Sequence, residues 1–173
     1  GESESIIDQG SNLNSYLLYP KTGFVNVDSQ ISGWAKGVYE QAKTDNMFLQ
    51  RLNPRATEEI NTNYNSYLFD DRYAGIEIVG VKNNAVTKKS SDIVKTFNIS
   101  RKGKRILNND EIISPKQHDI VIDLLKSEVL DMGDEFSYYA GKVDSTWLNN
   151  IVITHEGLKI ILEKGKYLPE RLG

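Results

Sequence analysis

The chain has 173 residues, 39% of them hydrophobic and 26% charged, with a formal net charge of −3 and no cysteine. That balance fits a globular domain able to hide about 70% of the surface its unfolded chain would expose. It excludes a disulfide framework and a thiolate metal site, and the lack of a basic stripe argues against nucleic acid, which is bound largely by neutralising phosphates.

Residues 1–12 are polar and are expected as a flexible tail; 13–173 reads as one domain, with possible sub-units 13–91 and 92–173. A strand is predicted at 13–19, ended by Pro20-Lys21-Thr22-Gly23. A helix follows over 25–52, because Val27, Ile31, Trp34, Ala35, Val38 and Ala42 recur at helical spacing on one face. Trp34 therefore belongs to the core. Asp28 or Asn26 is expected to cap this helix, which should stop before Asn53-Pro54. Gly33 and Gly37 each weaken it by about 1 kcal/mol relative to alanine, or else permit close approach to a sheet.

Residues 57–69 alternate Ile60, Thr62 and Tyr64 with Asn61, Asn63 and Asn65, the pattern of a strand buried on one face. Tyr64 and Tyr67 should point to opposite sides. Asp70-Asp71-Arg72 makes a hairpin tip, and 73–82 returns with Ile76, Ile78, Val79 and Val81, partly buried on both faces. Residues 82–91 read as a loop and 93–100 as a strand with Ile93, Phe97 and Ile99 on one side. The dense basic run Arg101-Lys102-Gly103-Lys104-Arg105 is a solvated turn, and 106–113 is irregular. Ser114-Pro115 opens a second helix, with serine at the cap and proline in the first turn. Its apolar face is Ile120, Val121, Leu124, Leu125 and Leu130, and Gly133 ends it. A connection over 138–147 leads to a closing hairpin, 151–154 and 158–162, around His155-Glu156-Gly157. The order β-α-β-β-β-α-β-β implies an α+β domain, a mostly antiparallel sheet packed by two main helices. A chain that stops soon after this hairpin reads as a domain of something longer. No run of about 18 apolar residues occurs, so no membrane span is expected within it.

Chemistry is sparse. Phe69-Asp70-Asp71 is similar to the Phe-Asp-Asp-Gly element of polysaccharide deacetylases, but Arg72 stands where glycine should, and the paired histidines such enzymes need are missing: His118 and His155 are each alone. There is no Gly-x-Ser-x-Gly, no Gly-rich phosphate loop, no His-Glu-x-x-His and no calcium-loop pattern. Two carboxylates about 5 Å apart suffice for a retaining glycosidase, and 24 acidic residues leave that class open. The expectation is no catalytic residue, no cofactor and no metal. Tyr138, Tyr139 and Trp147 offer a binding alternative, since sugar rings stack on such side chains and protein partners use them as anchors; otherwise they cover the sheet edge and fill the core.

With Leu17-Leu18-Tyr19-Pro20 after the tail, Phe97-Asn98-Ile99-Ser100-Arg101-Lys102-Gly103-Lys104 before the second helix, the hairpin over 151–162 and the Pro169-x-x-x-Gly173 ending, the chain resembles the extracytoplasmic region shared by peptidoglycan deacetylases of the PdaC type and anti-sigma factors of the RsiV type. The likeness spans nearly all of 13–173. It departs at 107–113, where the group has a Leu-x-Asp-Leu-Phe run, and at Gly165, where it has tyrosine. The departures bear on a shared ligand surface more than on a shared fold. The resemblance implies a non-catalytic accessory domain at the cell surface, ahead of a catalytic deacetylase domain in a membrane-anchored parent, with cell-wall glycan (peptidoglycan) as partner. Its alternative is a sensor domain of an anti-sigma factor-like protein that binds lysozyme.

Overall fold

The computed structural model describes residues 2–10, 12–163 and 166–168. Gly165, Pro169 and Gly173 lie outside them. A six-stranded sheet runs in the order β1 (Glu2–Gln9), β2 (Leu13–Lys21), β3 (Glu58–Phe69), β4 (Tyr73–Asn84), β5 (Ser90–Ser100) and β6 (Arg105–Leu107). Only β2 and β3 pair in parallel; every other neighbour is antiparallel. The parallel pair exists because α1 (Val25–Leu52) carries the chain back between them. The class is the expected α+β with a mostly antiparallel sheet.

The predicted helix has the observed bounds. Val27, Ile31, Ala35 and Ala42 are buried against Leu17, Ile60, Ile76, Ile78, Phe97 and Ile99, with Trp34 partly buried and edge-on to Phe97 at 6.2 Å. The cap differs from expectation. Phe24 is the N-cap residue and Asp28 reaches back from inside the helix, accepting from the Thr22 and Gly23 amides and the Thr22 hydroxyl at 2.7–2.9 Å. Gly33 and Gly37 face open space, so neither serves close packing.

Residues 2–9 are not a tail but an edge strand paired along its length with β2. Pro20 lies inside β2, beyond the β3 pairing, where one edge is open and a missing N–H is tolerated. The loop expected over 82–91 shrinks to 85–89, because β4 and β5 extend into it. Asp70 and Asp71 form the β3–β4 turn, both with positive φ.

The closing hairpin, β7 (Ile151–Thr154) and β8 (Gly157–Ile160), does not join the large sheet. It is a separate two-stranded layer on the face opposite α1, packed over β3, β4 and β5. Two residues explain the docking. Gly75 lets the backbones touch: a Cβ there would sit 1.9 Å from the Ile153 carbonyl oxygen. Asn98, buried, donates to the Ile151 carbonyl at 2.8 Å and accepts from the Ile153 amide at 2.7 Å. Behind the hairpin lie α2 (Asn109–Ile112), α3 (His118–Asp131) and α4 (Ser137–Ala140). Gly133 follows α3 with positive φ, as expected. The apolar face of α3 is corrected: Val129 is buried and Val121, Ile122 and Leu125 are half-buried, whereas Ile120, Leu124 and Leu130 are exposed. Among the described residues no helix is long and apolar enough to cross a membrane.

Candidate functional site

The alternation of β3 sends Ile60 and Thr62 into the α1 side and Glu59, Asn61, Asn63 and Asn65 to the opposite face. Among the described residues the β7–β8 hairpin covers that second face beside Gly75, Glu77 and Asn98 and leaves the remainder open. Two rows cross it in register: Ile7, Tyr16, Asn61 and Val81 on β1 to β4, and beside them Gln9, Asn14, Glu59 and Asn83. Together they line a shallow depression of about 410 Å³. Tyr16 is 48% exposed and Ile7 59%, so an aromatic and an aliphatic surface lie flush with a field of amides.

Each asparagine amide is both donor and acceptor, matching the alternating donor and acceptor character of adjacent sugar hydroxyls. A neighbouring tyrosine ring supplies the flat apolar surface on which a pyranose stacks. Asparagine is disfavoured in strands; Asn63 accepts from the Tyr64 amide and Asn65 reaches Glu77, whereas the exposed Asn61 stands in the depression. Asp8 sits at the edge of the depression. The Tyr39 hydroxyl donates to it at 2.6 Å and the Gly10 amide at 3.0 Å, which holds its carboxyl below the usual range. The same bond pushes the Tyr39 phenol up to about 12. That pair ties β1 to α1, on the sheet face opposite the amides. The alternation in 57–69 made the asparagines legible; Tyr16, on the open side of a strand otherwise read for its core, was missed.

The three aromatics expected to bind are not assembled as one surface. Trp147 is only 3% exposed, packed among Val129, Phe136, Ala140 and Val143, with Tyr167 edge-on at 5.3 Å. Its ring fills a core and is withheld from any ligand, which corrects that expectation. Tyr139 is half-buried against the same cluster. Tyr138 is 63% exposed, and Lys142 Nζ lies 4.5 Å from its ring centroid.

The titratable candidates stay apart. Asp70 and Asp71 are exposed at the hairpin tip, 3.8 Å from Arg72 and 3.9 Å from Arg101 respectively. His118 Nε2 lies 3.2 Å from the Ile113 carbonyl and 3.7 Å from Asp110; His155 is on the hairpin turn, 3.5 Å from Glu156. Among the described residues no three His, Cys, Asp or Glu side chains converge as a metal site. Two buried carboxylates escaped sequence reasoning, and both are pinned by neighbours. Glu77, on the hairpin side of β4, accepts from Tyr67 and from Lys159 of β8 at 3.1 and 3.2 Å. Burial and that hydrogen bond raise the Tyr67 phenol, the bond most, and the Glu77 bond also raises Lys159. Glu58 accepts from Asn84, whose amide also reaches Asn46 at the far end of α1. The signal for Glu77 was a charge between Ile76 and Ile78 in an apolar strand.

A second, apolar surface runs between α3 and β8. Ile112, Ile120, Val121, Leu124, Leu158 and Ile160 line a groove of about 420 Å³, with Glu128 as its charged side chain. No protein-family model matches this chain, and no match is found among curated proteins.

Proposed function

We propose that this chain is a non-catalytic, extracytoplasmic accessory domain that holds a deacetylase-type parent protein on cell-wall glycan. The observation that supports it is the open sheet face, where Asn61 lies in register with the exposed Tyr16 and Asn14 and Asn83 lie in the adjacent row. In this reading the site holds sugar through amides and a ring without transforming it. The likeness of the chain to the surface region of peptidoglycan deacetylases points to the same ligand class and to a membrane-anchored parent.

Co-sedimentation with insoluble peptidoglycan tests this. Tyr16→Ala with Asn61→Ala should weaken binding about tenfold, the sum of one lost stacking contact and one lost hydrogen bond, with the thermal transition unchanged. Wild-type chain that stays in the supernatant, or a double variant that sediments equally well, would sink the reading.

The alternative is a sensor domain that binds a wall hydrolase such as lysozyme. It is favoured by the α3–β8 groove, whose apolar lining bears Glu128 as its charged side chain among the described residues, suited to a cationic protein surface. Leu124→Lys would then abolish capture of lysozyme and leave peptidoglycan binding intact; the sheet-face variant would do the reverse.

A further inference from the structure

The large sheet opens in its middle. The β2–β3 ladder ends at the rung Leu17–Thr62, yet β2 continues to Lys21 on β1 and β3 continues to Phe69 on β4. Among the described residues, 63–69 of β3 therefore have a strand neighbour on one side only. Just past the last rung the Thr62 hydroxyl donates to the Leu18 carbonyl at 2.9 Å, and the Tyr64 amide turns to the side chain of Asn63 at 2.8 Å instead of bonding across. The two-residue period of a strand places the Ser66 and Leu68 amides on the same edge as that of Tyr64. Between the diverging strands lies a cleft of about 760 Å³. Phe24, Ala74, Ile76 and Ile99 give it an apolar lining, and Lys21 and Arg101 stand on its wall, each in a solvent-exposed pair, with Glu4 at 3.6 Å and Asp71 at 3.9 Å respectively.

The outer edges of the sheet are guarded in the usual ways, by charge and by brevity. β1 carries Glu2, Glu4 and Asp8, and β6 has three residues. The inner edge has neither device: Tyr64, Ser66 and Leu68 are uncharged, and Leu68 is 50% exposed. A row of strand-edge amides and carbonyls at the two-residue strand repeat is matched along its length by another extended peptide backbone.

We propose that residues 63–69 of β3 take up an extended polypeptide segment as an added strand, with alternate apolar side chains entering the cleft and a carboxylate meeting Lys21 and Arg101. The seven residues span about 23 Å, enough for a segment of about five. The Ser3 hydroxyl and Tyr64 phenol, 2.5 Å apart, latch the far end of the opening. This site is separate from the amide-bearing face and stands or falls independently of glycan binding.

The test uses hydrogen exchange on the intact chain with three probes: acetyl-Thr-Val-Thr-Val-Asp, the same peptide N-methylated at both valines, and acetyl-Thr-Val-Thr-Val-Lys-amide. In the free chain Ser66 and Leu68 amides should exchange at least ~100-fold faster than those of Ile76 and Ile78, which lie inside the paired part of the sheet. The acidic peptide should slow both amides saturably. The lysine peptide should bind about tenfold more weakly, and the N-methylated peptide, without the two valine donors that face the edge of β3, should have no effect. Ser66→Pro should abolish the response at the Leu68 amide while Ile76 and Ile78 keep their protection, since this proline removes an N–H no described strand uses; Leu68→Lys, a guarded edge, should abolish the response at Ser66 without touching the backbone. Protection of Ser66 and Leu68 in the free chain, an equal effect of the N-methylated peptide, or no saturable response to any probe at about 5 mM would overturn the proposal.

Discussion

Asp28 shows how a single side chain can organise a helix start without occupying the cap position. Burial pushes its carboxyl up, but the three donors from Thr22 and Gly23, with Lys21 nearby, outweigh this and hold it below the ordinary aspartate value of 3.8. A carboxyl depressed in the folded state stabilises the fold above its unfolded pKa, and that contribution is lost as pH falls through the folded value. Asp28→Asn should therefore cost about 0.5–1 kcal/mol at pH 7, after screening at a partly exposed helix end. The gap to wild type should narrow in urea titrations as pH falls below 3.8 and close once pH passes beneath the depressed folded value, where both side chains are neutral. Trp147 belongs to the same scale. Trp147→Ala should lose about 3–5 kcal/mol, read from the denaturant midpoint, while Tyr138→Ala, exposed, should stay within about 0.5 kcal/mol.

Among the elements, α1 was legible to the residue because 28 residues give the 3.6-residue period many turns to declare itself. Its glycines make a clean prediction. Gly33 and Gly37 lie mid-helix with nothing near a built Cβ, so Gly33→Ala and Gly37→Ala should each raise the unfolding free energy by about 0.5–1 kcal/mol, nearly additively. Thermal melts of the two single variants and the double variant check this; a loss of stability would mean the positions are packed. β1 was illegible for a physical reason. An outer strand is kept soluble by charges such as Glu2, Glu4 and Asp8, and the same charges make ESESIIDQ look like a tail. In α3 the apolar residues surround the helix, so period alone selected Ile120 and Leu124, which the packing leaves in solvent.

The whole molecule is held by how its layers meet. The hairpin layer is seated by one absent side chain and one buried amide. Gly75→Ala would drive a Cβ into the Ile153 carbonyl and should lift β7–β8 off the sheet, exposing the fast-exchanging amides of 151–160 before global unfolding. Asn98→Ala leaves the Ile151 carbonyl and Ile153 amide buried without partners and should cost about 2–4 kcal/mol. The same layer decides where the site is. Had the hairpin covered the sheet evenly, Tyr16 and the asparagines would be core; because it covers only the end beside Glu77, they form a surface.

By itself the sequence determined the period-governed features: α1, the alternation of β3, the turn at Asp70-Asp71 and the α+β class. These follow from local spacing, which fixes which face of an element is apolar. Only the tertiary structure decided that Trp147 is core, that the last hairpin forms its own layer, and that β2 and β3 part after Leu17. Each of those depends on which apolar faces find one another over tens of residues, and burial energy is indifferent to the order in which the chain supplies them.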